Sequence, residues 1–304
     1  MNTYQFKNIL IVQSTAPNIK FLTVGLLLMF FFAQAQKATT PVNPHPEWTK
    51  PYQPFQIAGN LYYVGTYDLA CYLIVTPKGN ILINTGLASS APLIKANVEA
   101  LGFKLADTKI LLNTQAHYDH MGAMAAIKKL TRAKLMIEAA DSAAVSDGGR
   151  SDYAFGNDPN TYFTPVKIDR ILHDQDIIKL GGMQLVILHH PGHTKGSSSF
   201  LFNVKDKERM YKVLIANLPS IVTNKKFSEI PNYTNISRDY AYTLAAMKGL
   251  KFDIWLASHA GQFDLYSKHK PGSAYNPAAF IDRKGYDEAL NDLQETYLKR
   301  IKNQ

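Results

Sequence analysis

From Leu61 onward the chain alternates short apolar runs with turn-forming residues: Leu61 to Val64, Tyr72 to Val75 and Ile81 to Ile83, the last two separated by Pro77-Lys78-Gly79-Asn80. Runs rich in β-branched and aromatic residues, bounded in this way, predict a meander of strands. A helix follows from a serine cap at Ser89 or Ser90 through Leu93, Ile94, Val98 and Leu101, with Gly102 free to take the left-handed conformation that ends it. Lys109 to Leu112 then reads as a buried strand, and a second helix begins near Met121-Gly122-Ala123 and runs to Leu130. Further on, Asp176 to Leu180 and Met183 to Leu188 form a hairpin across Gly181-Gly182. Strands are expected at Ser199 to Val204, Tyr211 to Ala216 and Asp253 to Ala257, with a helix at Arg238 to Leu250. From Tyr286 to Ile301, the residues Leu290, Leu293, Tyr297, Leu298 and Ile301 recur at helical spacing and predict a face that packs on the sheet.

No low-complexity linker divides this pattern, and the proline-rich stretch Pro41 to Pro54 reads as an extended arm over the surface. The beginning of the chain is different in kind. Lys20 precedes the apolar run Phe21 to Phe32, and Ala33-Gln34-Ala35 supplies a small-x-small cleavage pattern. The run is shorter than the roughly 20 apolar residues that span a bilayer, so residues 1–35 read as an export signal and residues 36–304 as one domain. The mature protein is then periplasmic, monomeric and without a membrane anchor.

Charge and cysteine content narrow the classes. The 304 residues carry a formal net charge of +9, of which Lys7 and Lys20 belong to the leader, leaving +7. The basic residues are dispersed, with no aromatic-basic stripe, which argues against nucleic acid and fits an anionic small molecule. Cys71 is the single cysteine and lies in the apolar run Ala70 to Val75, so an intrachain disulfide is excluded and a small buried side chain is expected.

The chemistry gathers at Gln115-Ala116-His117-Tyr118-Asp119-His120, directly after the strand ending at Leu112 and before a helix. Two more histidines stand at the same kind of place: His193 in Pro191-Gly192-His193-Thr194, and His259 after Asp253 to Ala257. Imidazole nitrogen and carboxylate oxygen suit zinc, and hydrolytic zinc sites leave one position for water. Six candidate ligands exceed what one ion needs and divide into two triads, as a two-metal centre with ions about 3.5–4 Å apart requires.

This order of residues resembles the metallo-β-lactamase superfamily, whose pattern is His-x-His-x-Asp-His, a Gly-His-Thr histidine and a final histidine. The resemblance covers nearly the whole mature chain. Gln115 in the first motif position, with Ile215-Ala216-Asn217 and Asp253 to His259, resembles the GOB-type enzymes of the third β-lactamase subclass. The fold so implied is an α/β four-layer αββα sandwich, two mixed sheets face to face with helices outside. The resemblance further implies that Gln115, His117 and His193 form a first zinc site and Asp119, His120 and His259 a second, up to two ions per chain. A neutral amide oxygen binds zinc more weakly than imidazole, so the first site should lose metal more readily. The alternative is that Gln115 only holds a water there by a hydrogen bond.

Zinc lowers the pKa of its water toward neutrality, and the hydroxide so formed, oriented by Asp119, attacks a strained amide carbonyl. The activity implied is hydrolysis of the β-lactam of penicillins, cephalosporins and carbapenems, with Ser220 and Lys225 as candidates for holding the substrate carboxylate. Two other readings stand beside it: a hydrolase of lactones, thioesters or phosphodiesters, and a non-catalytic metal-binding periplasmic protein. Glyoxalase-type thioesterases and lactonases usually place a metal-bridging aspartate where this chain has Asn217 and Leu218, which favours the β-lactamase arrangement.

Overall fold

A computed structural model describes residues 45–207 and 209–303. The export signal over residues 1–35 and the first part of the proline-rich arm lie outside them. The strands are β1 (Phe55–Ala58), β2 (Leu61–Tyr63), β3 (Tyr72–Thr76), β4 (Gly79–Ile83), β5 (Thr108–Leu112), β6 (Lys134–Glu138), β7 (Arg170–Leu172), β8 (Ile177–Leu180), β9 (Met183–His189), β10 (Ser198–Asp206), β11 (Arg209–Ala216) and β12 (Ile254–Ala257). The helices are α1 (Ala91–Ala100), α2 (Tyr118–Met121), α3 (Met124–Thr131), α4 (Ser142–Asp147), α5 (Ile236–Lys248), α6 (Leu265–Lys268) and α7 (Arg283–Lys302). None of the helices among the described residues is long and apolar enough to cross a membrane.

Two mixed sheets result. A seven-stranded sheet runs β1-β2-β3-β4-β5-β6-β7, and a five-stranded one runs β12-β11-β10-β9-β8. Alternation along each strand divides its side chains between two cores. Tyr72, Ile74, Ile81, Ile83, Ile110 and Leu112 pack against Ile187, Phe200, Val213 and Leu256 of the other sheet. The intervening Leu73, Leu82 and Leu111 pack on Ile94 and Val98 of α1 and Ile127 of α3. On the opposite side α5 and α7 meet through Tyr240, Leu244 and Tyr297. This is the αββα sandwich expected from the sequence.

Several details depart from the sequence reading. Ser90 stands at the N-cap of α1, but its side chain makes no capping hydrogen bond. The second helix is two short ones, α2 and α3, and begins earlier because the His117 carbonyl accepts the N–H groups of His120 and Met121. The break between them falls at Gly122, where a Cβ would come within 2.4 Å of the Ala88 nitrogen. In α7 the buried face runs through Tyr286, Leu290 and Tyr297, while Leu298 and Ile301 are 50% and 37% exposed. The hydroxyls of Tyr286 and Tyr297 donate to carbonyls of Met247 and Ser237, so this face docks largely on α5.

Candidate metal centre

Three strand ends meet at one edge of the sandwich. The segment after β5 carries Gln115, His117, Asp119 and His120; the β9–β10 loop carries His193; His259 follows β12. Thr114 joins the two sheets beneath them. Its N–H donates to Asn84 Oδ1 (2.9 Å), its carbonyl accepts Ser198 N–H (2.8 Å), and its Oγ1 accepts the Ser258 hydroxyl (2.9 Å). Thr85 holds the His120 carbonyl through both its N–H (2.9 Å) and its hydroxyl (3.0 Å).

Asp119, His120 and His259 offer ligand atoms that all lie within 4.8 Å of one another. His259 Nε2 is 3.3 Å and His120 Nε2 3.1 Å from Asp119 Oδ2. The other nitrogen of His259, Nδ1, is 2.9 Å from Asp68 Oδ2, which also accepts the Trp48 indole N–H (3.1 Å). Gln115, His117 and His193 are buried beside this group, the two imidazole centroids 4.9 Å apart. His193 Nδ1 donates to the Ser220 carbonyl (2.8 Å), which leaves Nε2 for another partner.

Burial and neighbouring charge set the protonation of these groups. Burial opposes ionisation of Asp119, but His120 and His259 outweigh it and hold the carboxyl well below the ordinary range. Burial disfavours the cationic form of His259, yet its bonds to Asp119 and Asp68 carry it up to about 9. His193 goes the other way, down to about 3, through burial and then the nearby His117. For Asp152, burial is again outweighed, here by His117 and by the N–H groups of Phe155 and Ala154, and its carboxyl is lowered.

The arrangement fits a cation. Gln115 Oε1, His117 Nε2 and both ring nitrogens of His120 are buried without a hydrogen-bond partner. Buried polar atoms are normally satisfied, and the orphans on Gln115 and His120, two of the six converging residues, mark a place prepared for an ion. His117 Nε2 does lie 3.3 Å from Asp152 Oδ2, a charge-pairing distance off the hydrogen-bond line.

Ser220 and Lys225 part company. Ser220 is brought to the site, its carbonyl and its Oγ (3.1 Å) both facing His193 Nδ1. Lys225 is exposed on the loop after β11, its carbonyl accepting from Arg300 of α7. Among the described residues its ammonium makes no ion pair. Asn217 is buried under the ligands, its Oδ1 accepting the Ser258 hydroxyl (3.0 Å).

Three carboxylates that the sequence reading did not single out support the centre: Asp68, Asp152 and Asp141. Asp141 accepts the Ala116 N–H (2.9 Å) and the Thr194 hydroxyl (2.8 Å) on Oδ2 and the Gly196 N–H (2.7 Å) on Oδ1, tying the first motif to the His193 loop. Burial pushes its carboxyl up to about 6 against these bonds, which leaves it ionised at neutral pH. Beneath His193, the Tyr153 hydroxyl reaches the carbonyls of Gly192 (3.0 Å) and His193 (3.2 Å).

Residues 65–206 match the family model described as the metallo-beta-lactamase superfamily. The class B3 di-zinc metallo-beta-lactamase LRA-12 from an Alaskan soil metagenome is 64% identical, with a TM-score of 0.84 over 86% of this chain and 98% of that one. GOB-18 from Elizabethkingia meningoseptica is 58% identical, with a TM-score of 0.85 over 87% of this chain and 97% of that one. A curated hydroxyacylglutathione hydrolase of Rhodopseudomonas palustris is 28% identical over 132 residues, which span 43% of this chain and only 42% of that relative. The chain belongs to the metallo-β-lactamase superfamily. Within it, the solved structures it resembles include the class B3 enzyme LRA-12 and the metallo-beta-lactamase GOB-18.

Proposed function

We propose that this protein is an exported, zinc-dependent β-lactamase that opens the β-lactam amide of penicillins, cephalosporins and carbapenems in the periplasm. The observation that carries the reading is the convergence of six candidate ligands from three strand ends, with Gln115 Oε1 and the His120 nitrogens buried and unpartnered among them, in a chain 64% identical to a class B3 di-zinc enzyme. Residues 36–304 act as one domain, monomeric and free of any membrane anchor. Gln115, His117 and His193 hold one ion; Asp119, His120 and His259 hold the other. Zinc, when bound, supplies an acidic water as the nucleophile and a Lewis acid for the carbonyl.

The chain's own residues do the rest. Asp119 lies within reach of both His120 and His259, so its carboxylate is placed to orient the attacking water. Asp68 fixes the His259 ring through Nδ1, and the Ser220 carbonyl fixes that of His193. Ser220, whose Oγ lies 3.1 Å from His193 Nδ1, is the candidate at the site for holding the substrate carboxylate, and Lys225 is the second, from the exposed loop after β11.

Metal analysis of the purified protein, paired with carbapenem turnover before and after chelation, tests the reading. Zinc present, turnover present and turnover abolished by chelator are expected. Fast thioester or lactone cleavage with negligible β-lactam cleavage would transfer the site to another substrate class.

A further inference from the structure

The two triads differ in charge. Asp119 gives one of them an anionic ligand, whereas Gln115, His117 and His193 are all neutral donors, and all three are buried. A divalent ion taken out of water without an anion nearby bears its whole desolvation cost uncompensated.

Among the described residues, the carboxylate at ion-pairing distance from that triad is Asp152. Its side chain is 6% exposed, with Oδ2 3.3 Å from His117 Nε2. It is also aimed: Oδ1 accepts the N–H groups of Ala154 (2.8 Å) and Phe155 (2.7 Å), and the Phe155 ring lies edge-on to His117 at 4.9 Å. With Nε2 turned to this carboxylate, the lone pair left for a cation is that of Nδ1. A carboxylate behind an imidazole fixes the ring and makes it a stronger ligand.

We propose that Asp152 is a positioning residue that supplies, through His117, the negative charge Gln115 fails to bring to the first metal site. The proposal rests on the ligand assignment above. Metal retention at one site then depends on a residue that never touches the ion.

The test is a titration of chelator-stripped protein with Co(II), followed by its visible absorption and by competition with a chromophoric chelator, neither of which needs turnover. The parent should take up two ions in two steps. Asp152→Asn keeps the acceptor for Ala154 and Phe155 but removes the charge; one step should weaken by about 10–100-fold and the other hold. Adding Gln115→Glu to that variant moves the charge into the coordination shell and should recover at least about tenfold of the loss, a rescue that a merely structural role would not give. Parent-like affinities in a folded Asp152→Asn protein overturn the proposal. If that variant does not fold, Asp152→Ser, whose hydroxyl can still accept from the Ala154 and Phe155 N–H groups, carries the test: one step should weaken at least about tenfold, and unchanged affinity overturns the idea. His117→Ala separates the premises: two parent-like steps in that variant, or a parent that takes up one ion only, sink the ligand assignment and this proposal with it. Loss of a step in His117→Ala, with Asp152→Asn unchanged, sinks the proposal alone.

Discussion

Asp141 gives the sharpest test of how the centre is held together. Its carboxylate is 3% exposed and accepts three hydrogen bonds, from Ala116 N–H, Gly196 N–H and the Thr194 hydroxyl. In Asp141→Ala the hydroxyl still has Ser197 Oγ at 2.8 Å, so the loss falls on the two backbone donors. Each was bonded to an ionised acceptor and is left buried without a partner, at about 1–3 kcal/mol each. The sum is roughly 4 kcal/mol, a large share of the 5–15 kcal/mol that a domain commonly holds. A domain of this size loses about 2–4 °C per kcal/mol, so the melting temperature should fall by roughly 8–16 °C. Asp141→Asn should cost less: its oxygen can keep the bonds to Ala116 and Thr194, while its NH2 faces the Gly196 donor. Urea unfolding of chelator-treated protein keeps metal uptake out of the measurement. Asp141→Ala within about 1 kcal/mol of the parent would refute the view that this carboxylate ties the two motifs together.

Three further outcomes follow from the same structure. Burial lowers the His190 pKa to about 4 from an ordinary 6.5; the unfolded chain therefore binds this proton first, and stability is full above pH 6.5 and lost as pH falls toward 4, by up to roughly 3 kcal/mol. Denaturant unfolding between pH 7 and 4.5 should show the His190 share as the difference in slope between the parent and His190→Asn, because Asp141, raised to about 6, contributes with the opposite sign in the same window. Gly192 has φ +132°, and a Cβ there would lie 2.9 Å from the Tyr240 ring, so Gly192→Ala should cost more than about 1 kcal/mol and lower metal affinity through His193; parent-like melting and metal uptake would contradict this. Gln115→His should raise affinity for zinc in a competition assay, since imidazole outbinds a neutral amide; an unchanged value would put Gln115 outside the coordination shell.

The strands that alternate or run apolar between clear turns were legible, as in the hairpin across Gly181 and Gly182, whose φ values of +52° and +93° are those that glycine supplies. The strands β1, β6 and β7 were not. β6, Lys134–Glu138, is covered on both faces and so shows no alternation, and β7 has three residues. At the site, the six clustered residues stood out because each follows a strand and offers nitrogen or oxygen. Asp68, Asp141 and Asp152 did not, because a lone aspartate in a polar loop looks like solvent-facing charge until the chain folds around it. Their partners are distant, 191 residues away for Asp68 and His259 and 53 for Asp141 and Thr194.

The placement of the ligands on both sheets has a consequence for the life of the molecule. Gln115, His117, Asp119 and His120 hang from the seven-stranded sheet, His193 and His259 from the five-stranded one. An ion held as proposed is then a rivet through the sandwich, and its binding free energy adds to the folding free energy of the whole domain. Resistance to unfolding and proteolysis would track the metal supply of the compartment where the chain matures. Starvation for zinc would remove the protein itself, as well as its chemistry.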